Sequence, residues 1–562
     1  MSGSLRSGGT ALVEVLESAG VRLLFGVPGE SYLAALDALF SRRNALRLVT
    51  ARHEGGAAFM AAAHGKLTER PGICFVTRGP GAANAAIAVH TAMQDSSPMI
   101  LFVGQASTGV RGREAFQEID YERFFEPIAK WVVEVSQADR IPELVLRAWH
   151  TAISGRPGPV VVSLPEDILE AETGVEAPAP WHAPFVAEVG EGAAVPIIDV
   201  LGSAERPLIL AGGTGWDSDG RTNLQIFAET NRIPVVTAFR CQDLVDNDSV
   251  AFAGDVGVGS TRHVRGLIEA ADVVLAAGVR FGEITTGGYE LFSVPVPRQR
   301  IIHLHPSDRE LGKIVIPELA VQGSPQSLFA KLRPVDIGRS RQWQEWFDAA
   351  SVGRRERFRC PPSPGPVDLV AIMAWLRKNL PSEIILTTGA GNFAIWPGRF
   401  LPLRAGSRML GPQSGAMGYG IPAAIAAKLE RPDCMVVCFT GDGDFQMTGQ
   451  ELATAIDCGV DPIVILVNNG MYGTIRMHQE RRYPGRVHGT DLRNPDFVAL
   501  ANAHGANAER VVRTQEFPDA FRRAEASGKV ALIELVVDPE AISPSETLSG
   551  IRETAFASGV VG

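Results

Sequence analysis

MVVCFTGDGDFQMTGQELATAIDCGVDPIVILVNNGMYG, residues 435–473, decides the fold. Two apolar runs each stop at polar residues, the first at Gly441-Asp442-Gly443 and the second at Asn468-Asn469. Residues 435–440 read as a strand, 450–458 as a helix and 462–467 as the next strand. A right-handed strand–helix–strand crossover lays such strands parallel, often as neighbours. Their carboxyl ends then open at one edge, where α/β sheets take ligands, so Asp442 and Asn469 converge. One carboxylate and one amide oxygen make a poor cage for a bare cation. They suit Mg²⁺, which completes an octahedral oxygen shell with phosphate oxygens and water. Glycines around Asp442 let backbone come close to a phosphate. Either short motif alone reads equally well as a turn; their spacing, each after a buried strand, points to a phosphate-bearing ligand held through a metal.

Working outward, similar runs recur along the chain: GICFVT, MILFVG, PVVVSLP, PLILAGG, IPVVTAF, VVLAAG, IIHLH and IILTTG. Continuous apolar runs alternating with helical stretches indicate parallel strands covered on both faces, hence an α/β fold of doubly wound sheets. Two Pro-rich stretches, residues 170–192 and 359–369, read as linkers. They divide the chain into an N-terminal piece (1–172), a central piece (190–335) and a C-terminal piece (366–562), each of ordinary domain size. The outer pieces share a pattern of Arg-Pro, strand, Gly-x-Gly turn, helix and strand, beginning at Arg70 and at Arg431. An internal duplication accounts for it, and so does generic βαβ similarity.

Composition narrows the class. The 562 residues are 45% hydrophobic and 21% charged, which is globular rather than disordered or fibrous. A net charge of −10 without a basic block argues against nucleic-acid partners. No apolar run approaches the roughly 20 residues of a membrane helix, and the N-terminus lacks a signal peptide's apolar core. The six cysteines form no CxxC pair, so reduced thiols in a cytoplasmic protein are expected.

GDG followed, after a helix and a strand, by NN resembles the signature of thiamine diphosphate enzymes. RHEGGAAFMAAAHGKL, TRGPGAANAA, GREAFQEID, SGRPGPVVVSLPEDIL, TTGAGN and GAMGYGIPAAI resemble the acetolactate synthase and pyruvate oxidase branch of that family. These segments cover the first and last thirds almost continuously, and the middle third matches more loosely. The resemblance implies three domains in the order pyrimidine-binding, central, diphosphate-binding. It implies that Asp442, Asn469 and the Met471 backbone carbonyl hold Mg²⁺. Gly441, Gly443, Asp444, Tyr472, Gly473 and Thr474 would border thiamine diphosphate, as would Gly391, Asn392 and Phe393, although Gly-Asn also caps turns. Glu54, in HEGGAA, matches the family's essential acid. A carboxylate bonded to the aminopyrimidine favours the imino tautomer that takes the thiazolium proton, a general acid–base relay through the cofactor. Met417 matches a bulky apolar residue that bends the cofactor so that its two rings meet. The family builds its site between subunits, which implies a homodimer or homotetramer.

The implied chemistry is decarboxylation of a 2-keto acid, after which the enamine is protonated, oxidised or added to a second carbonyl. Simple decarboxylases of the pyruvate type share a tandem histidine pair, and this chain's 11 histidines include no adjacent two. Gln117, preceded by Phe116, matches a glutamine lining the site of the carboligating synthases. Carboligation is therefore expected. The alternatives are a non-oxidative 2-keto acid or oxalyl-CoA-like decarboxylase and a catalytically idle regulatory homologue. Glu30, in FGVPGES, departs from the family: acetolactate synthases show a small residue in FGYPGG, and benzoylformate decarboxylase-like enzymes a serine. A carboxylate there is costly to bury unless paired; it reads as a proton donor, as a contact for a cationic or hydroxylated substrate, or as a solvated loop charge. In the middle third, Gly-rich turns from Ala211, Ala253 and Ala277 offer a cradle for FAD or serve as ordinary packing devices. His303 and His305 share a strand face without a third ligand and are taken as structural.

Overall fold

The computed structural model describes residues 5–176 and 188–559. The first linker falls partly outside the described residues, and the second leads to a helix, Leu369–Asn379, capped by Asp368.

Three six-stranded, wholly parallel sheets follow one another along the chain. The first holds β1 (Leu23–Gly26), β2 (Arg47–Thr50), β3 (Gly72–Val76), β4 (Met99–Gln105), β5 (Trp131–Glu134) and β6 (Pro159–Pro165) in the order β2-β1-β3-β4-β6-β5. The second holds β7 (Pro207–Ala211), β8 (Val235–Thr237), β9 (Phe252–Asp255), β10 (Val273–Ala277), β11 (Arg300–His305) and β12 (Leu319–Gln322), ordered β9-β8-β7-β10-β11-β12. The third holds β13 (Ile384–Thr388), β14 (Arg408–Leu410), β15 (Met435–Gly441), β16 (Ile463–Asn468), β17 (Asn507–Val511) and β18 (Ala531–Val536), ordered β14-β13-β15-β16-β18-β17. The outer sheets thus repeat one strand order. The central sheet has the order of a dinucleotide-binding fold, with its reversal between β7 and β10.

The central strands are buried end to end, β3, β4 and β6 without an exposed position, as apolar runs covered on both faces require. β15 and β16 are neighbours in register, Val437 beside Ile463 and Gly441 beside Val467, so the two polar stops emerge side by side. One local expectation is corrected. The chain does not turn loosely after β15: a short helix, Asp442–Thr448, starts at Asp442 and a second, Glu451–Cys458, follows. Two acids in the first turn suit the positive end of the helix dipole.

The two outer sheets share one core. The alanine-rich helix Glu54–Thr68 lies against helix Gly420–Glu430, and side chains from both domains merge into a single apolar cluster. Buried Glu451 ties them: its carboxylate accepts the backbone amides of Arg52 and His53, just before the helix that begins at Glu54. A Cβ on Gly56 would stand 2.3 Å from Glu451 Oε1, so a larger residue there would displace this tie.

Candidate active site

A cavity of about 360 Å³ opens at the carboxyl ends of β13, β15 and β16. Asp442, Asn469, Met471, Tyr472, Gly473, Thr474, Gly391, Asn392, Phe393, Met417 and Gly441 to Asp444 all line it, so the structure brings every C-terminal candidate to one place.

Asp442 is 3% exposed. It accepts from the Gly443 amide at 3.0 Å and from Asn494 Nδ2 at 2.7 Å. Burial pushes its carboxyl up, those bonds pull it down, and among the described residues no cationic side chain pairs with it. A buried carboxylate without a cation is costly unless a cation arrives. Two carbonyl oxygens nearby are of the hard type Mg²⁺ prefers. Asn469 Oδ1 holds the Met471 amide at 3.2 Å. Met471 bridges Asp491 through Tyr472 N–H to Thr490 O and Leu492 N–H to Gly470 O, which leaves the Met471 carbonyl unspent by the bridge. The donor set therefore fits a magnesium ion and the phosphates it carries.

The adjacent asparagines divide the work. Asn469 faces the cavity, while Asn468 donates to buried Glu534 at 2.8 Å and accepts from Asn494 at 3.0 Å. Asp444 accepts from Thr440 Oγ1 (2.7 Å) and the amides of Gly418 (2.9 Å) and Ala390 (3.2 Å), and burial pushes its carboxyl up to about 6. It ties together the two loops that carry Gly391 and Met417. Thr474 and Asn392 are joined twice, amide to hydroxyl at 3.1 Å and hydroxyl to Oδ1 at 2.9 Å. A side chain at Gly443 would come within 2.5 Å of the Tyr472 ring, so close backbone approach is required there.

Two residues of this site escaped the sequence reading. Asn494 lies in an Arg-Asn-Pro stretch that looks like an ordinary turn. Arg240, from the central sheet, is buried and donates to the Gly389 carbonyl at 2.9 Å and to Thr388 Oγ1. Phe239 and Arg240 make the central domain one wall of the cavity.

The N-terminal candidates gather elsewhere. None of Glu30, Glu54 and Gln117 lines the Asp442 cavity. All three surround residues 77–81, where β3 passes into the N-terminus of helix Gly79–Asp95. Thr77 Oγ1 meets Ser31 Oγ at 3.0 Å, and Arg78 Nη2 donates to Glu30 Oε1 at 3.0 Å. The Gly79 amide donates to the Gln117 carbonyl at 2.9 Å, and a Cβ on Gly81 would lie 3.4 Å from Glu54 Oε1. Glu54 Oε2 accepts from Asn84 at 2.9 Å. Gln117 adopts φ 61°, and its Oε1 is buried with no partner among the described residues.

In the central domain the turns after β7 and β10 touch: a Cβ on Gly213 would strike the Gly278 carbonyl at 1.9 Å. The turn from Ala253 lies apart, against the Asp442 cavity. A second cavity, about 700 Å³, is lined by Gly213, Thr214, Gly215, Trp216 and Arg221, whose Nε is buried without a partner among the described residues. His303 Nε2 bonds the Val279 carbonyl and His305 Nδ1 takes the Ser307 amide, and among the described residues no cluster of metal-ligating side chains is found. Among the described residues no helix is long and apolar enough to cross a membrane.

Comparison with known proteins agrees with this division of labour. Residues 6–124, 196–332 and 389–535 match the families described as thiamine pyrophosphate enzyme N-terminal TPP binding domain, central domain and C-terminal TPP binding domain. The chain is 33% identical to the acetolactate synthase large subunit of Corynebacterium glutamicum, over 95% of this chain and 87% of that one. It is 32% identical to a probable acetolactate synthase large subunit of Methanocaldococcus jannaschii, over 96% and 93%. It is 30% identical to the mitochondrial acetolactate synthase of Schizosaccharomyces pombe, over 96% and 84%. With the cavity, the paired strand ends and these matches in agreement, the chain belongs to the thiamine diphosphate-dependent enzymes and resembles the acetolactate synthases among them.

Proposed function

We propose that the protein decarboxylates a 2-keto acid with thiamine diphosphate and Mg²⁺ and ligates the remaining fragment to a second carbonyl compound. The observation that carries this reading is the buried Asp442 carboxylate, without a cationic partner among the described residues, sharing one cavity with Asn469 and Met471. Asp442, Asn469 and the Met471 carbonyl would hold the metal. Gly441, Gly443, Asp444, Tyr472, Gly473 and Thr474 would form the diphosphate wall with Gly391, Asn392 and Phe393, and Met417 would support the cofactor's bent form. When bound, the cofactor supplies the electron sink for loss of CO₂. Glu54 would hold a proton at its carboxylate for the pyrimidine ring, and Gln117 would present its side-chain amide to substrate.

Glu54 does not line the Asp442 cavity of its own chain. The reading therefore takes a homodimer, in which the partner subunit's Glu54 completes each site, and a homotetramer as two such dimers. The domains divide at 1–172, 190–335 and 366–562. FAD belongs to the second cavity, supported by the strand order of the central sheet and by Arg221 as a partner for a diphosphate. Six free cysteines accord with a cytoplasmic compartment.

The test is CO₂ release from 2-keto acids by enzyme stripped of metal and cofactor. Activity restored by Mg²⁺ and thiamine diphosphate together, with a carboligation product in the proton NMR spectrum, supports the reading. An aldehyde as sole product makes the enzyme a decarboxylase, and no turnover with any keto acid leaves a binding protein. Flavin that co-purifies and is displaced on denaturation tests the FAD assignment.

A further inference from the structure

The edge around residues 77–81, at the N-terminus of helix Gly79–Asp95, carries an excess of negative charge. Arg78 is 7% exposed, and its guanidinium is claimed by Glu30 at 3.0 Å, by Glu166 at 3.7 Å and by the Phe116 carbonyl at 3.4 Å. Glu54 stands at the other end of the same stretch. The loop that bears Phe116 and Gln117 is closed by Arg111, itself claimed by Glu118 at 2.8 Å and by Glu134. Each arginine thus answers two carboxylates. Glu30 remains the accessible member: its side chain is 57% exposed, and among the described residues its Oε2 has no protein partner. The exposed Phe116 ring lies 5.8 Å from the same Arg78 guanidinium, and the next residue, Gln117, has its Oε1 buried without a partner among the described residues.

A second 2-keto acid is an anion. To be held for ligation its carboxylate needs a free cation or a set of donors; Arg78 and Arg111 are already more than neutralised, and a third arginine, exposed Arg113, is followed directly by Glu114. Approach past Glu30 sets like charges together, which is the repulsive half of a specificity device; the donor's carboxylate meets the same charge but leaves as CO₂, whereas an acceptor's must stay beside Glu30 through ligation. A neutral carbonyl compound meets no such barrier. A hydroxyl on it donates to Glu30 Oε2, and its carbon skeleton lies along Phe116.

We propose that the Glu30–Arg78 pair determines the acceptor class, rejecting a second 2-keto acid and admitting an uncharged, hydroxylated aldehyde or ketone. The proposal rests on the reading above that this edge completes the active site. In the net reaction the donor's bond to its carboxylate breaks and CO₂ leaves. The electron pair of that bond forms the new bond to the acceptor's carbonyl carbon, and the acceptor oxygen takes one proton. No oxidant or reductant is consumed. Arg78 is a positioning residue: it fixes the Glu30 carboxylate and spends its own charge doing so.

The experiment is a competition in full-length enzyme with Mg²⁺ and thiamine diphosphate. Pyruvate or phenylglyoxylate serves as donor, with equimolar glycolaldehyde and 2-oxobutyrate as acceptors and products quantified by NMR. Wild type is expected to favour the glycolaldehyde adduct by about tenfold or more. Glu30→Gln keeps the size and removes the charge. It is expected to move the product ratio toward 2-oxobutyrate and to lower KM for that acceptor more than it changes kcat. A wild-type preference for 2-oxobutyrate overturns the proposal without recourse to any variant, and an unchanged ratio in a folded Glu30→Gln enzyme does so too. CO₂ release with either of those outcomes leaves the broader reading standing, whereas absence of CO₂ release from every donor overturns both.

Discussion

Asn494 Nδ2 lies 2.7 Å from Asp442 Oδ2 and 3.0 Å from Asn468 Oδ1, so one amide braces both polar stops from a loop 52 residues downstream of the first. The brace continues through Asn468 to Glu534 and from Glu534 to Arg510 at 2.7 Å. Support of this kind orients a metal-binding carboxylate and fixes which oxygen faces the metal. Asn494→Ala is expected to weaken joint binding of Mg²⁺ and thiamine diphosphate about 10–100-fold. Titration calorimetry measures it directly, and an unchanged affinity would show that Asp442 needs no such brace.

Glu54 sits on the N-terminal domain and Asp442 on the C-terminal one, with Glu54 outside the Asp442 cavity. Glu54→Gln is expected to lower kcat about 10²–10⁴-fold while thiamine diphosphate still binds. Proton exchange at the cofactor's reactive carbon, followed by NMR, should slow in parallel.

Co-expression tests the assembly separately. Glu54→Gln and Asp442→Asn chains are each expected to be inactive alone. If each site draws on two chains, mixed dimers regain one intact site and a measurable fraction of activity returns. Mixtures as inactive as the single variants would place both residues' work within one chain.

What was legible in the sequence followed burial. β3, β4, β6, β15 and β16 are covered on both faces and read as unbroken apolar runs. The edge strands β5, β12 and β17 are half-exposed, and their mixed residues gave no such signal. The short helix after β15 was hidden because Gly-Asp-Gly has turn chemistry, whereas the helix dipole and the Asp442 bond to the Gly443 amide favour helix. Residues of the site that lie at strand ends were legible from local order alone. Asn494 and Arg240 were not, because each reaches the site through a tertiary contact with no local pattern. Glu30 stood out only as a departure; its pairing with Arg78 needed the fold.

Arg240 crosses from the central domain to the Gly389 carbonyl and Thr388 at the end of β13. Burial lowers its guanidinium to about 10, the Asp95 and Asp444 carboxylates oppose that, and its Nε finds no partner among the described residues. Arg240→Met removes a costly buried charge and also orphans two acceptors at roughly 1–3 kcal/mol each. These effects oppose, so the melting temperature should move little. The loop that carries Gly391 should loosen, and thiamine diphosphate affinity should fall. Differential scanning calorimetry with a cofactor titration separates the two; a large drop in Tm with unchanged affinity would make Arg240 a purely structural tie.

The C-terminal helix Leu548–Ala557 is fastened to helix Gly473–Arg482 through Glu480. That buried carboxylate accepts from Arg552 Nε at 2.8 Å, Arg476 Nε at 3.1 Å and the Gly485 amide at 3.0 Å. Met471 packs in one small cluster with Met477, Ile542, Leu548 and Ile551, so the tail covers this cavity-lining residue. Arg552 is the chief influence holding Glu480 below its ordinary 4.5, down to about 2. A depressed carboxyl stabilises the fold above its unfolded value and loses that contribution as pH falls through the folded one. Arg552→Ala should therefore loosen the tail by about 1.5–3 kcal/mol, the worth of hydrogen bonds to a charged group. Proteolysis should clip the C-terminus faster, and cofactor affinity should fall with it. The difference from wild type should stay flat above about 4.5 and close progressively toward about 2. A difference that is absent at neutral pH and stays so on acidification would mean that the tail is held by its apolar cluster, with the Glu480 ion pairs contributing nothing to its docking.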